Sequence, residues 1–247
     1  IFEIKSLVYF LDEGEDDTKG EITRVSESFS ENFDPSLVSI ITNPDPPLPT
    51  RTERIAHGRN ALFNRASELS TDVEFLIMMD GDNISSGDFD YEKIAKYLPR
   101  NDWDCISFNR EDYYDIWALC YEPFIHNMWG FTTRESCISV YHIMKEDISK
   151  KLDSVPAGDL FECYSAFNGF AIYRIEKFLG CKYDGSRQEM FPREKIMQYQ
   201  DNLEADFDLE GAKIDFSKSS NCEHVSFHLQ AIRENGARIR ISSEIIF

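Results

Sequence analysis

No two cysteines in this sequence lie close enough to form a CxxC pair, and no His-Glu-x-x-His run is present. The six cysteines, Cys105, Cys120, Cys137, Cys163, Cys181 and Cys222, are scattered. Such spacing argues against a zinc knuckle or a disulfide framework and fits reduced, mostly buried thiols of a cytoplasmic protein. No apolar run approaches the roughly 20 residues of a membrane helix, so no membrane span is expected. No leader peptide is visible either, and a start at Ile1 without Met suits one part of a longer chain. GxGxxG and GxxxxGK[ST] are both missing, so neither a dinucleotide fold nor a P-loop is indicated. Basic residues are scarce: 26 Lys and Arg stand against 45 Asp and Glu, a formal charge of −19. That balance leaves no basic surface for nucleic acid and disfavours contact with anionic lipid. An anionic ligand bridged by a metal ion stays compatible with it, because the ion supplies positive charge locally.

What the chain does have is apolar residues in quantity, 42% of 247, enough for a substantial core in one large α/β domain or two small ones. The stretch that organises it is Phe75-Leu76-Ile77-Met78-Met79-Asp80-Gly81-Asp82-Asn83. Five apolar residues in a row predict a strand buried on both faces, as in a parallel sheet. Asp80 and Asp82 are at i and i+2, so in extended chain both carboxylates leave on one side. Ligands of open α/β sheets gather beyond the carboxyl ends of the strands. Two hard oxygen ligands there suit Mg²⁺ or Mn²⁺ carrying a diphosphate. Asp-Gly is equally a turn signal, and the same residues can simply end a strand.

Strands are expected over Ile4–Leu11, Leu37–Thr42, Phe75–Met79 and Asp104–Asn109, with helices between them. The acidic run Asp12–Asp17 reads as a solvated loop, residues 18–32 as a surface helix, and Asn43–Pro49 as a stiff extended loop. This alternation predicts a doubly wound α/β fold with a parallel sheet. In the helix from Arg51, the residues Ile55, Arg59, Leu62, Ala66 and Leu69 share one stripe. Arg59 thus falls on an apolar face, where a guanidinium needs a partner, either a structural acid or a group at the end of the Asp-Gly-Asp strand. A helix is expected over Asp88–Leu98 and another over Arg134–Leu152. The aromatic residues between them (Tyr113, Tyr114, Trp117, Tyr121, Phe124, Trp129, Phe131) suit sugar faces or a core beneath an insertion.

Asn168-Gly169 interrupts an apolar run from Phe161 to Arg174, marking a bulge or a hairpin turn. Residues 182–220 are polar with little period, so a loop is expected. Asn221 is a candidate N-cap for a helix with the stripe Val225, Leu229 and Ile232 and a stop at Gly236, before a last strand, Arg238–Ile246. Glu223 in its first turn can simply complement the dipole, and His224 and His228, one turn apart, can be packed neutral rings.

Four segments together, Arg54-Ile55-Ala56-His57-Gly58-Arg59-Asn60, Met79-Asp80-Gly81-Asp82, Phe167-Asn168-Gly169-Phe170 and Cys222-Glu223-His224-Val225 with His228, carry a resemblance. In this order they resemble metal-dependent GT-A glycosyltransferases, of the kind related to fungal capsule mannosyltransferases and to enzymes of large algal viruses. The resemblance implies a GT-A (Rossmann-like) fold with a mixed, mainly parallel sheet flanked by helices. It implies a single domain over 1–247, with a nucleotide-binding half to about residue 110 and an acceptor-side half from about 111. It implies a UDP- or GDP-sugar donor, a glycan acceptor, and Mn²⁺ (or Mg²⁺) on Asp80 and Asp82, with His228, His224 or a histidine beyond Phe247 as a further ligand. Arg54, Arg59, Asn168 and Gly169 would border the donor. Glu223, with His224 beside it, would act as general base in an inverting transfer, with Asp115, Asp159 and Glu162 as rivals. Two alternatives stand beside it: a haloacid-dehalogenase-type phosphatase, which wants a lysine and a second acid pair downstream, and an inactive sugar-binding module on the same fold.

Overall fold

Side chains in the central strands leave alternately for two apolar layers, and that alternation explains why these strands read as continuous apolar runs. The computed structural model describes residues 3–11, 17–28, 34–43, 48–81, 83–85, 87, 89–126, 128–186, 191–207, 209, 212–218 and 221–247. The acidic run at 12–16, the end of the surface helix expected at 29–32, the prolines within 44–47, Asp82 and Asp88 lie outside the described residues.

The strands are β1 (Leu7–Leu11), β2 (Val38–Thr42), β3 (Phe75–Met79), β4 (Cys105–Asn109), β5 (Leu160–Cys163), β6 (Phe170–Arg174) and β7 (Ile239–Ile245). The longer helices are α1 (Thr18–Ser28), α2 (Arg51–Glu68), α3 (Tyr91–Tyr97), α4 (Arg134–Ser154), α5 (Arg193–Phe207) and α6 (Glu223–Asn235). β1 and β2 pair in parallel as a separate two-stranded sheet. The other five form one sheet in the order β3-β6-β4-β7-β5. On one face Cys105, Ala171, Tyr173, Ile239 and Ile241 join the larger core, with Phe63 of α2, Val140 and Met144 of α4, and Phe227 of α6. On the other, Ile106, Phe108, Phe170 and Ile172 pack with Ile94 and Tyr97 of α3 and with Trp103.

The expectation of a mainly parallel sheet is corrected here. Only β4·β7 is parallel in the five-stranded sheet; β3·β6, β4·β6 and β5·β7 are antiparallel. Strand–helix alternation holds as far as β4 and then fails, since β5 and β6 follow one another without a helix between them. β6 enters between β3 and β4, antiparallel to both. The architecture is mixed α/β, with helices over the sheet.

β3 is also not buried on both faces. It closes one edge of the sheet, and although Met78 is buried, Ile77 and Met79 on the opposite face are 43% and 51% exposed. A third correction concerns 182–220, where α5 stands in place of the expected loop. Ile196, Tyr199 and Leu203 give it a buried stripe at i, i+3 and i+7. At α6, Cys222 rather than Asn221 takes the N-cap position and makes no side-chain cap bond. Asn221 Oδ1 instead accepts from the Cys222 N–H at 2.8 Å. Gly236 ends the helix as expected, with φ +63°. All six cysteines are free, and no described helix is long and apolar enough to cross a membrane.

Candidate functional site

α2 begins with a capping box. Thr50 Oγ1 accepts from the Glu53 N–H at 3.2 Å, and Glu53 Oε2 accepts from the Thr50 N–H at 3.1 Å. With that start fixed, Ala56, Arg59 and Phe63 fall on the buried side. Arg59 donates from Nη2 to Asp80 Oδ1 and from Nε to Glu223 Oε1, both at 2.8 Å. Its guanidinium also sits 4.5 Å from the centre of the Phe167 ring. Burial opposes the charge, but Glu223 and Asp80 outweigh it and hold the guanidinium's pKa above its ordinary value. The partner required for an arginine on an apolar stripe is therefore double, one carboxylate from the end of β3 and one from the start of α6.

Around this hub lies a cleft of about 710 Å³. Asp80 and Gly81 line it from just past the end of β3, and Glu223 and His224 from α6. Tyr114, Asp115 and Trp117 contribute from the segment after β4, and Arg51 and Thr52 from the first turn of α2. Three carboxylates thus meet two guanidinium groups, of which Arg51 is at the exposed rim. Asp115 is buried and forms no ion pair among the described residues. Burial first, then the charges of Glu223 and Asp80, push its carboxyl up to about 7.

Asn168 and Gly169 lie behind the cleft wall rather than in it. Asn168 Oδ1 accepts from the N–H groups of Tyr114 (2.9 Å) and Asp115 (3.1 Å), while its Nδ2 donates to Phe108 O at 2.9 Å. Gly169 O accepts from the Asp80 N–H at 3.0 Å. Both residues have positive φ, 53° and 83°, the conformation that Asn and Gly tolerate best. This turn braces two cleft-lining segments at once.

His224 is on the cleft wall but fully buried, its ring stacked on Phe167 at 4.0 Å. Among the described residues neither ring nitrogen has a hydrogen-bond partner, and Nε2 is 3.7 Å from Glu223 Oε1. Burial and the Arg59 charge hold its pKa well below the ordinary value, so the ring is neutral. His228 is brought elsewhere. Its Nδ1 shares a hydrogen bond with Ser165 Oγ at 2.8 Å and its Nε2 one with Tyr173 Oη at 3.1 Å. Burial and Arg59 take its pKa down to about 3. Both nitrogens are committed inside the core, so the expected metal ligand does not reach the cleft. Arg54 also stands apart, its Nη1 donating to Leu48 O at 2.9 Å.

The cleft supplies no metal set among the described residues. Among the described residues no group of three or more His, Cys, Asp or Glu side chains is arranged to hold a metal ion. Asp80 has one oxygen in the Arg59 fork, and Asp82 lies outside the described residues. The implied Mn²⁺ or Mg²⁺ therefore lacks a fitting site in what is described.

The rival acids separate clearly. Asp115 is in the cleft, whereas Asp159 is exposed elsewhere and Glu162 pairs with Arg240 at 2.8 Å on the surface. The aromatic run divides too: Tyr114 and Trp117 line the cleft, while Tyr121, Phe124 and Phe131 are core. Arg51, where the helix was expected to start, and Thr52 were not among the expected site residues; their place in a first helical turn just before the Arg59 stripe was the usable sign. Comparison with family models, characterised proteins and solved structures finds no match to this chain.

Proposed function

We propose that this protein is a glycosyltransferase that moves a sugar from a nucleotide-diphosphate donor to a glycan acceptor. One observation carries the proposal. Arg59, Asp80 and Glu223, from three of the four segments that bear the resemblance, meet side chain to side chain, and the fourth supplies Gly169 O to the Asp80 N–H. Residues 164 positions apart in sequence are thus drawn to one cleft of a size suited to a small molecule.

Each wall has a task under this proposal. The first turn of α2, with Arg51, favours the donor's diphosphate through the helix dipole and the guanidinium charge. Arg59 holds Asp80 and Glu223 in fixed positions. Tyr114 and Trp117 offer flat faces on which a sugar ring stacks. No step is assigned to a metal ion, since the described residues do not complete a site for one. A phosphatase of the haloacid-dehalogenase type is less well supported: no lysine lines the cleft among the described residues.

Hydrolysis of UDP-glucose, UDP-galactose and GDP-mannose, followed with Mn²⁺ present, is the test. The transferase releases UDP or GDP from at least one of them, a binding module binds without turnover, and a phosphatase attacks phosphate monoesters instead. Where Mn²⁺ supports nucleotide binding, Asp80→Ala should abolish that metal-dependent binding in calorimetry while far-ultraviolet circular dichroism stays native. Binding that is indifferent to this substitution would place the donor elsewhere.

A further inference from the structure

Glu223 occupies the place that the resemblance gives to the general base, but its carboxylate is already engaged. Oε1 accepts from Arg59 Nε at 2.8 Å, and Oε2 is 3.7 Å from the Cys222 thiol. Its side chain is 5% exposed. Taking a proton there would strip the buried guanidinium of one of its two partners, a costly change in low dielectric. The geometry suits Glu223 to holding Arg59 rather than to accepting an acceptor's proton.

Asp115 is buried as well, but its carboxylate is engaged differently. It lines the same cleft and forms no ion pair among the described residues. The Ala118 N–H donates to its Oδ1 at 3.2 Å, a neutral contact that protonation need not break. Its backbone is held by the Asn168 amide, itself bonded to Phe108 at the end of β4. A base must be pre-positioned to this degree to act on a bound hydroxyl. Tyr114 and Trp117 flank it on the cleft wall, so a sugar stacked on either ring would bring its hydroxyls near the carboxylate.

We infer that Asp115 is the general base of the proposed transfer, and that the acceptor sugar lies against Tyr114 and Trp117. This rests on the transferase proposal and moves the base away from Glu223. The acceptor hydroxyl gives its proton to the Asp115 carboxylate while an oxygen lone pair forms the bond to the donor's anomeric carbon. The bond from that carbon to the diphosphate oxygen breaks, and the nucleoside diphosphate leaves with the electron pair. The anomeric configuration inverts. Water in the acceptor position turns the same step into donor hydrolysis.

Hydrolysis of the three nucleotide sugars therefore tests the base without a known acceptor. Asp115→Asn should lower turnover at saturating donor by about 10²–10⁴-fold, with the Kd for UDP or GDP unchanged. Asp115→Ala with added formate is the second variant, since an external carboxylate restores a lost base but not a lost brace. Wild-type turnover by Asp115→Asn, in a protein that does hydrolyse a donor, overturns the assignment and leaves the transferase proposal standing. A wild type that neither binds nor hydrolyses any of the three removes the transferase proposal, and the assignment with it.

Discussion

Asp115 weighs on the fold in a way that its neighbours determine. Burial and the charges of Glu223 and Asp80 raise its pKa from 3.8 to about 7. Between those values the folded state holds the proton and the unfolded state has lost it, so stability falls as pH rises. The favourable contribution is complete below the unfolded value and gone once pH has passed through the folded one. Above it, the buried anion costs on the order of 4 kcal/mol. Asp115→Asn removes that cost while keeping an oxygen for the Ala118 N–H. In metal-free buffer the variant should be more stable than the wild type at about pH 8, with the gain vanishing near about pH 4. Urea unfolding at both pH values measures this, and an equal gain at the two would refute it. Lost activity with gained stability is the pattern expected where a fold tolerates strain for function. At this scale Arg59 was legible, because a guanidinium on an apolar stripe demands a partner. That its partners are Asp80 and Glu223 together was not, since the start of α6 is 164 residues away.

Among the elements, the turn between β5 and β6 holds backbone of two cleft-lining segments. Gly169 has φ +83°, and a Cβ there would meet Ile84 Cγ2 at 2.9 Å. Gly180 has a similar φ of +85° with nothing within 4 Å, which makes it the matched control. Both Gly169→Ala and Gly180→Ala pay the backbone strain of about 1–3 kcal/mol. Only Gly169→Ala adds the clash, and only it displaces the carbonyl that receives the Asp80 N–H. It should lose more stability than Gly180→Ala in urea and weaken nucleotide binding as well. Equal losses in both variants, with binding intact, would mean that the turn does not brace Asp80. Asn-Gly announced a special turn in the sequence, and one is present. Strand direction was not legible, because it depends on which distant strand arrives beside β4. β3 misled for a related reason: five apolar residues predict two buried faces, yet an edge position leaves Ile77 and Met79 uncovered. α5 was missed because Ile196, Tyr199 and Leu203 are few among polar neighbours, so its stripe shows only once something packs on it.

For the whole molecule, a formal charge of −19 confronts any anionic donor before the cleft's own groups are felt. Close to the site, Arg59 is held by two carboxylates, which leaves Arg51 and the α2 N-terminus as the local attraction. Two fields of opposite sign therefore act on a nucleotide, the repulsive one longer in range. Salt separates them, since charges farther apart than the Debye length, about 10 Å at 0.1 M, are largely screened. In chelator, UDP or GDP binding should be weak and should strengthen as monovalent salt is added, because screening removes distant repulsion before it weakens nearby contacts. A basic nucleotide site would show the reverse trend. Mn²⁺ should raise affinity far beyond what salt achieves if a divalent ion bridges the donor to the acidic cleft, for an ion supplies its charge at the point of contact. Calorimetric titrations in chelator, in chelator with added salt, and in Mn²⁺ distinguish these cases. Affinity that falls steadily with salt in chelator would mean that local positive charge already dominates, and Mn²⁺ without effect would mean that no divalent ion bridges the donor, leaving the cleft and its base in place.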